Sequence, residues 1–170
     1  NAYDSLSSVN MDKLKYGLEQ AKELQMKIVN EATAILKKKT PYIGRGSFRY
    51  SILSSNSPNH KFFSQPIALS KLAVFMVNAF KASNDTVDKP FLLCAPVIER
   101  NTVLVVGIHN SHHNRNYFGQ CFKIAIEQVD ASIVNDTFEQ SWIEVQQDDL
   151  DNFLQVLHAQ TFEQYTQKFN

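Results

Sequence analysis

The sequence has no net charge, because seventeen basic residues are balanced by seventeen acidic ones and the isoelectric point is about 7.1. Binding to a nucleic-acid backbone depends on a surplus of Lys and Arg. The charge balance therefore predicts that nucleic acid is not the main partner of this chain. Charged residues make up 20% of the chain and hydrophobic residues 44%, which is typical of a folded protein and excludes global disorder.

Long apolar runs and cysteine pairs are also lacking. The longest apolar run, residues 90–98, is much shorter than a membrane-spanning helix, and no signal-peptide pattern opens the chain. We therefore expect a soluble chain without membrane insertion. Cys94 and Cys121 form no CxxC pair, so buried free thiols and a reducing compartment are expected. A disulfide is possible only if their segments are neighbours.

The length of 170 residues predicts a single domain over residues 1–170, and the opening Asn-Ala indicates a vector remnant or a cut from a larger multidomain protein. Hydrophobic periodicity predicts an α+β fold, with helices on one face of a mainly antiparallel sheet of about five strands or wrapped around it. The predicted helices are a long N-terminal one over residues 10–39, a buried central one over 64–82 and a C-terminal amphipathic one from Asp148. Strands are expected at residues 48–53, 90–99, 102–109, 118–129 and 141–146.

Glycine is scarce, with five residues in the chain, and two of them, Gly44 and Gly46, flank Arg45 in the segment PYIGRGSFRYSIL. Glycine lets a backbone approach an anion, arginine supplies a fork of donors, and tyrosine offers a face on which a base can stack. The segment is therefore a candidate site for a flat, negatively charged ligand. The residues alone favour a strand with a twisted start over such a site, since GxG without a third glycine and a following helix is a weak phosphate signal.

The stretch PYIGRGSFRY, in which Tyr42 and Tyr50 are eight residues apart, resembles the KLAMP nucleotide-binding domains of a type IV secreted bacterial effector related to the SidE group. The resemblance implies non-catalytic binding of an adenine nucleotide, cyclic AMP or ADP, between the two tyrosines, with no further cofactor. It also implies a virulence protein that is secreted into a host cell and acts in its cytosol, with an unknown host partner. Charge and proximity lead us to expect the arginines and glycines at the phosphate. The predicted ligand-binding residues are Tyr42, Gly44, Arg45, Gly46, Arg49 and Tyr50.

Two other functions stay open from the sequence. The long first helix carries an apolar stripe that includes Leu14 and Leu18, so a protein-interaction or oligomerisation module is the alternative. An enzyme acting on a nucleotide phosphate would have to use His109, His112 and His113. No HExxH pattern or fixed carboxylate accompanies these histidines, so a metal site is not predicted and an enzyme is less expected than a binding domain.

Overall fold

The computed structural model describes residues 11–37, 48–83, 89–108, 118–129 and 141–167, with side chains up to residue 159. Within these ranges the chain forms five helices and four strands. In chain order they are α1 (Met11–Lys37), β1 (Arg49–Ile52), α2 (His60–Phe63), α3 (Pro66–Ala82), β2 (Phe91–Val97), β3 (Thr102–Ile108), α4 (Phe118–Val129), β4 (Trp142–Gln146) and α5 (Leu150–Gln167). None of the described helices combines the length and the apolar composition needed to cross a membrane.

The four strands form one sheet in the order β1-β2-β3-β4. Strand β1 runs parallel to β2, with Arg49 opposite Phe91, whereas β2 with β3 and β3 with β4 are antiparallel. The β2–β3 hairpin turns through a short 3-10 helix and Asn101, whose φ of 53° lies in the left-handed region that asparagine adopts more easily than most residues. The hairpin therefore forms the centre of the sheet, and β1 and β4 are its edges.

Pro96 lies inside this central hairpin without breaking a ladder bond. Strand β1 pairs only with Phe91–Cys94 of β2, and the Leu53 N–H donates to the Cys94 carbonyl at 2.9 Å. Because alternate residues of a strand direct their backbone groups to the same side, Pro96 faces the β1 side as Cys94 does. It lies beyond the end of β1, so its missing N–H costs no bond. Proline in a strand usually indicates an edge strand or a bulge, but here β2 is central and Pro96 is tolerated because β1 is too short to pair with it.

Helices cover both faces of the sheet, so the interior consists of two apolar clusters. The first cluster contains residues from α1, α3 and one face of β2 and β3, and the second contains residues from α4, α5 and the opposite face. Burial on both faces explains why Phe91–Val97 is an almost continuous apolar run rather than an alternating one. The first cluster includes Ile28, Ala32, Leu72, Met76, Leu93 and Leu104, and the second includes Leu92, Val105, Phe118, Phe122, Phe153 and Leu157.

The predicted α+β class, with its long N-terminal helix, is confirmed. The central helix α3 begins at Pro66, where the fixed φ of proline suits a first turn, and the C-terminal helix begins at Leu150. The strand predicted at residues 118–129 is wrong, because this segment is helix α4. Its buried residues recur at three- and four-residue steps, a helical period, whereas a strand that buried Phe118 and Phe122 would also bury Ile124, which is exposed.

Gly107 is required where β3 meets α4. A Cβ placed on Gly107 would lie 2.9 Å from the Phe118 Cβ and closer still to two of its ring atoms. Gly107→Ala should therefore lower the free energy of unfolding by about 1–3 kcal/mol through overpacking. Gly17→Ala is the matched control, because nothing lies within 4 Å of its added Cβ and it is in the middle of α1. It should raise that free energy by about 0.5–1 kcal/mol, and urea unfolding of both variants distinguishes the two effects.

A buried carboxylate joins the hairpin turn to β4. Glu144 accepts hydrogen bonds from Arg100 Nε at 2.7 Å and from Arg100 Nη2 at 3.0 Å, and the Thr102 hydroxyl also donates to it. Glu144 and Thr102 are buried, while half of the Arg100 side chain is exposed to solvent. The network therefore satisfies two buried polar groups and anchors the turn to the edge strand.

Removing the Glu144 carboxylate should be more costly than removing Arg100. Glu144→Ala leaves the buried Thr102 hydroxyl without its acceptor and opens a cavity, so we expect a loss of about 2–4 kcal/mol in the free energy of unfolding. Arg100→Ala leaves the Thr102 bond in place, and water can reach the exposed side, so a smaller loss is expected. Urea denaturation measures both variants, and equal losses would contradict this account of the network.

Candidate functional site

The structure describes two of the six predicted ligand-binding residues, Arg49 and Tyr50, which are neighbours in β1. Adjacent residues of a strand project to opposite faces of the sheet. Arg49 is buried, with its Cζ 5.4 Å from the centroid of the Phe80 ring on α3. Tyr50 packs against the second cluster, with its ring 6.3 Å from that of Phe48. The two side chains are therefore not brought together at one ligand, and Tyr42, Gly44, Arg45 and Gly46 lie outside the described residues.

The other residues with potential chemistry are also accounted for. His109, His112 and His113 lie outside the described residues. Among the residues that the structure does describe, no group of three or more His, Cys, Asp or Glu side chains is placed to hold a metal ion. The described part of the chain therefore contributes surfaces and hydrogen-bonding groups rather than a clustered metal centre.

Both cysteines are free and buried in the second cluster, as the sequence predicted, although Cys121 lies in a helix rather than a strand. Burial raises the pKa of the Cys94 thiol from its ordinary value of 9.0 to about 12. Burial also raises the pKa of Cys121, and a hydrogen bond with its backbone acts in the opposite direction. The two thiols are therefore protonated and unreactive in the folded protein near neutral pH.

The native protein should resist thiol reagents and lose stability at high pH. As pH rises above 9.0, Cys94 loses its proton in the unfolded state while it stays protonated in the folded state. The contribution of this thiol to the free energy of unfolding is therefore complete below pH 9.0 and is lost as the pH rises toward 12. Its stability should fall by about 1.4 kcal/mol per pH unit in this window. Urea unfolding at several pH values, with Cys94→Ala as the control for other titrating groups, measures the slope. Rapid labelling of the native protein at neutral pH would contradict the assignment.

A groove of ≈ 670 Å³ lies between the second half of α1 and the outer edge of β1. Its inner wall includes Glu31, which is buried and accepts hydrogen bonds from Ser57 Oγ at 2.7 Å and from Asn59 Nδ2 at 3.4 Å. On the strand side, the register with β2 directs the backbone N–H and carbonyl of Ile52 away from β2 and toward the edge. The groove can therefore offer strand backbone groups to a ligand, while the Glu31 carboxylate is occupied in holding the loop after β1.

Sequence reasoning missed this groove. It depends on β1 being an edge strand and on hydrogen bonds from residues 26 and 28 positions away from Glu31. The single local signal was a carboxylate next to Ile28 and Ile35 on the apolar side of α1. That signal does not identify the donors, because they come from a loop whose position only the tertiary fold determines.

The first half of α1 exposes apolar side chains to solvent. Met11 is 59% exposed and Leu18 53% exposed, whereas Ile28 and Ala32 further along the same helix are buried in the first cluster. The change occurs near Lys27, whose Nζ lies 3.0 Å from the centroid of the Phe62 ring. Helix α1 thus packs against α3 in the first cluster with its second half, whereas its first half exposes Met11 and Leu18.

A family model described as CDC45 matches residues 1–160 of the chain. The chain is 38% identical over 161 residues to the Cell division control protein 45 homolog of Dictyostelium discoideum, and 34% identical over 163 residues to that of Homo sapiens. These matches cover 93% and 92% of this chain. The chain belongs to the CDC45 family. It spans only 24% of the length of the Dictyostelium relative and 29% of the human one.

A solved structure supports the fold of this CDC45 family member. The crystal structure of CDC45 from Entamoeba histolytica matches with a TM-score of 0.68 and 22% sequence identity. The match covers 93% of this chain and 31% of that chain. The arrangement of helices and strands described above is therefore shared with a CDC45 protein.

Membership of the CDC45 family corrects the predicted origin of the chain. The resemblance to a bacterial effector of the SidE group is wrong, because the CDC45 match extends over residues 1–160 and the relatives are eukaryotic. Type IV secretion, virulence and a location in the host cytosol are wrong with it. Glycine, arginine and tyrosine are each favoured locally for backbone or packing reasons, so a likeness over ten residues recurs in unrelated folds. A match over residues 1–160 does not recur in this way and therefore decides the family.

The predicted function and partners are corrected on the same ground. The prediction that the chain binds an adenine nucleotide, cyclic AMP or ADP, as part of an effector is wrong. The prediction that nucleic acid is not among its partners is wrong as well. A neutral charge described this chain correctly, but the chain covers a minor part of the length of its relatives. The placement of Arg49 and Tyr50 on opposite faces is consistent with this correction. The individual roles of the six residues stay predictions.

Proposed function

We propose that the protein acts in the control of cell division, at the initiation of DNA replication in the eukaryotic nucleus. The observation that carries this proposal is the CDC45 family match along residues 1–160, together with relatives named cell division control protein 45 from amoeba, human and yeast. Its partners in this proposal are other proteins of DNA replication, the replication helicase among them. The fold supports a part for this chain in those contacts.

The architecture favours binding through surfaces. Helices cover both faces of the sheet, and in the described part of the chain the buried side chains form the two apolar clusters. The buried carboxylates Glu31 and Glu144 are engaged in hydrogen bonds that hold the fold together. The features that face outward are the groove beside β1 and the first half of α1. In this proposal the chain contributes protein contacts to replication.

Rapid removal of the full-length protein tests the proposed function. The protein is fused to an inducible degron in cells that carry it, degraded during G1, and the cells are then released into the cycle. We expect DNA synthesis, measured by nucleoside-analogue incorporation, to fail, because initiation lacks a required component. Re-expression of a degron-free copy should restore incorporation.

The timing of degradation provides the control. Removal after DNA synthesis is complete should leave the following mitosis unaffected, whereas a general loss of viability would affect both stages. Normal incorporation after complete degradation in G1 would overturn the proposal. An equal defect at both times would show a function other than initiation of replication.

A further inference from the structure

One line of positions along α1 is apolar except at Gln25. Steps of three and four residues alternate through eight positions, as at the a and d positions of a coiled coil. These positions are Met11, Leu14, Leu18, Ala21, Gln25, Ile28, Ala32 and Ile35. The same repeat is the one through which paired helices pack on each other. We refer to these eight positions as the α1 seam.

Among the described residues, full burial is confined to the second half of the α1 seam. Ile28, Ala32 and Ile35 are buried in the first cluster, where they pack against α3. The first four positions, residues 11–21, continue the same face beyond the packed body, and Met11 and Leu18 are more than half exposed. Gln25, at the junction between the two halves, is polar and exposed. The sequence is thus patterned for burial over a length that the described part of the chain does not fully bury.

Charge flanks the exposed half on one side. Lys15 and Lys22 occupy equivalent positions one heptad apart along that side, while Gly17 and Leu24 occupy the other. Lys22 Nζ lies 2.8 Å from Glu19 Oε1, but both side chains are largely exposed, so this ion pair contributes little to stability. Lys22 can therefore exchange Glu19 for a carboxylate of a partner. A helix that covers the seam would be favoured if it placed carboxylates beside the two lysines.

We propose that the first half of the α1 seam docks against an amphipathic helix with acidic flanking residues that belongs to the rest of the same full-length protein. The matched region is 24% of the Dictyostelium relative and 29% of the human one, so most of each relative lies outside it. A helix linked in the same polypeptide acts at high effective concentration and needs less intrinsic affinity than a separate partner. This inference rests on family membership and goes beyond the proposed role in replication.

A second copy of this chain fits the seam less well. In an antiparallel pair, the side that carries Lys15 and Lys22 would face the same side of the other copy, and like charges would meet. In a parallel pair that side would face Gly17 and Leu24, which offer no carboxylate. Neither arrangement supplies the acidic residues that the two lysines favour.

Hydrogen exchange on the full-length protein tests the docking. In the wild-type protein the amides of residues 11–24 should exchange as slowly as those of a packed helix. Leu18→Lys should accelerate their exchange about ten-fold or more, because it places a charge in the covered seam. Tyr16→Lys is the matched control, since Tyr16 is 69% exposed and lies on the opposite side of the helix. It should change these rates little, and the amides of β2 and β3 report whether the fold is intact.

Each other outcome counts against the proposal. Fast exchange of residues 11–24 in the wild-type full-length protein, or equal acceleration by both substitutions, would show that the seam is not covered. Protection that increases with protein concentration, with a rise in mass by analytical ultracentrifugation, would indicate a second copy instead. Carbodiimide cross-linking should join Lys15 or Lys22 to carboxylates outside residues 1–170, and links formed only by Lys13 would place the partner on the wrong side.

Discussion

The structure depends on burying both faces of the β2–β3 hairpin at once. Leu92 and Val105 project into one cluster and Leu93 and Leu104 into the other, so neither face can be stable without its own layer of helices. This demand for two layers positions α1 and α3 on one side and α4 and α5 on the other. The remaining strands, β1 and β4, extend the sheet and form its edges.

The edges of the sheet and the ends of the helices are the surfaces at which the protein can contact a partner. At the β1 edge, the short strand leaves a groove whose wall is held by the bonds of Glu31 to the following loop. At the β4 edge, Glu144 accepts hydrogen bonds from Arg100 and Thr102, which fix the hairpin turn to the edge strand. Helix α1 is longer than the sheet that it covers, so its first half projects with its apolar seam exposed. The described residues therefore present two outward-facing features, the groove beside β1 and the first half of α1.

The candidate site was less predictable than the fold. The residue types around Arg49 and Tyr50 suit an anion and a base and therefore predicted a ligand site. Strand alternation instead directs the two side chains to opposite faces of the sheet. Composition places residue types near one another in sequence but not on the same face. The groove at Glu31 could not be predicted, because the residues that donate to the Glu31 carboxylate lie 26 and 28 positions away in the sequence.

The sequence by itself determined the α+β class, the long first helix, the buried central helix, the β2–β3 hairpin and the burial of both cysteines, because period and apolar content are local properties. It did not determine that residues 118–129 are helical, since Phe118 and Phe122 satisfy a strand period and a helix period equally. Only the tertiary structure decided that segment, by offering one continuous apolar face of the sheet for a helix to cover. It likewise decided where the α1 seam stops being buried, because that depends on the width of the sheet and not on the helix.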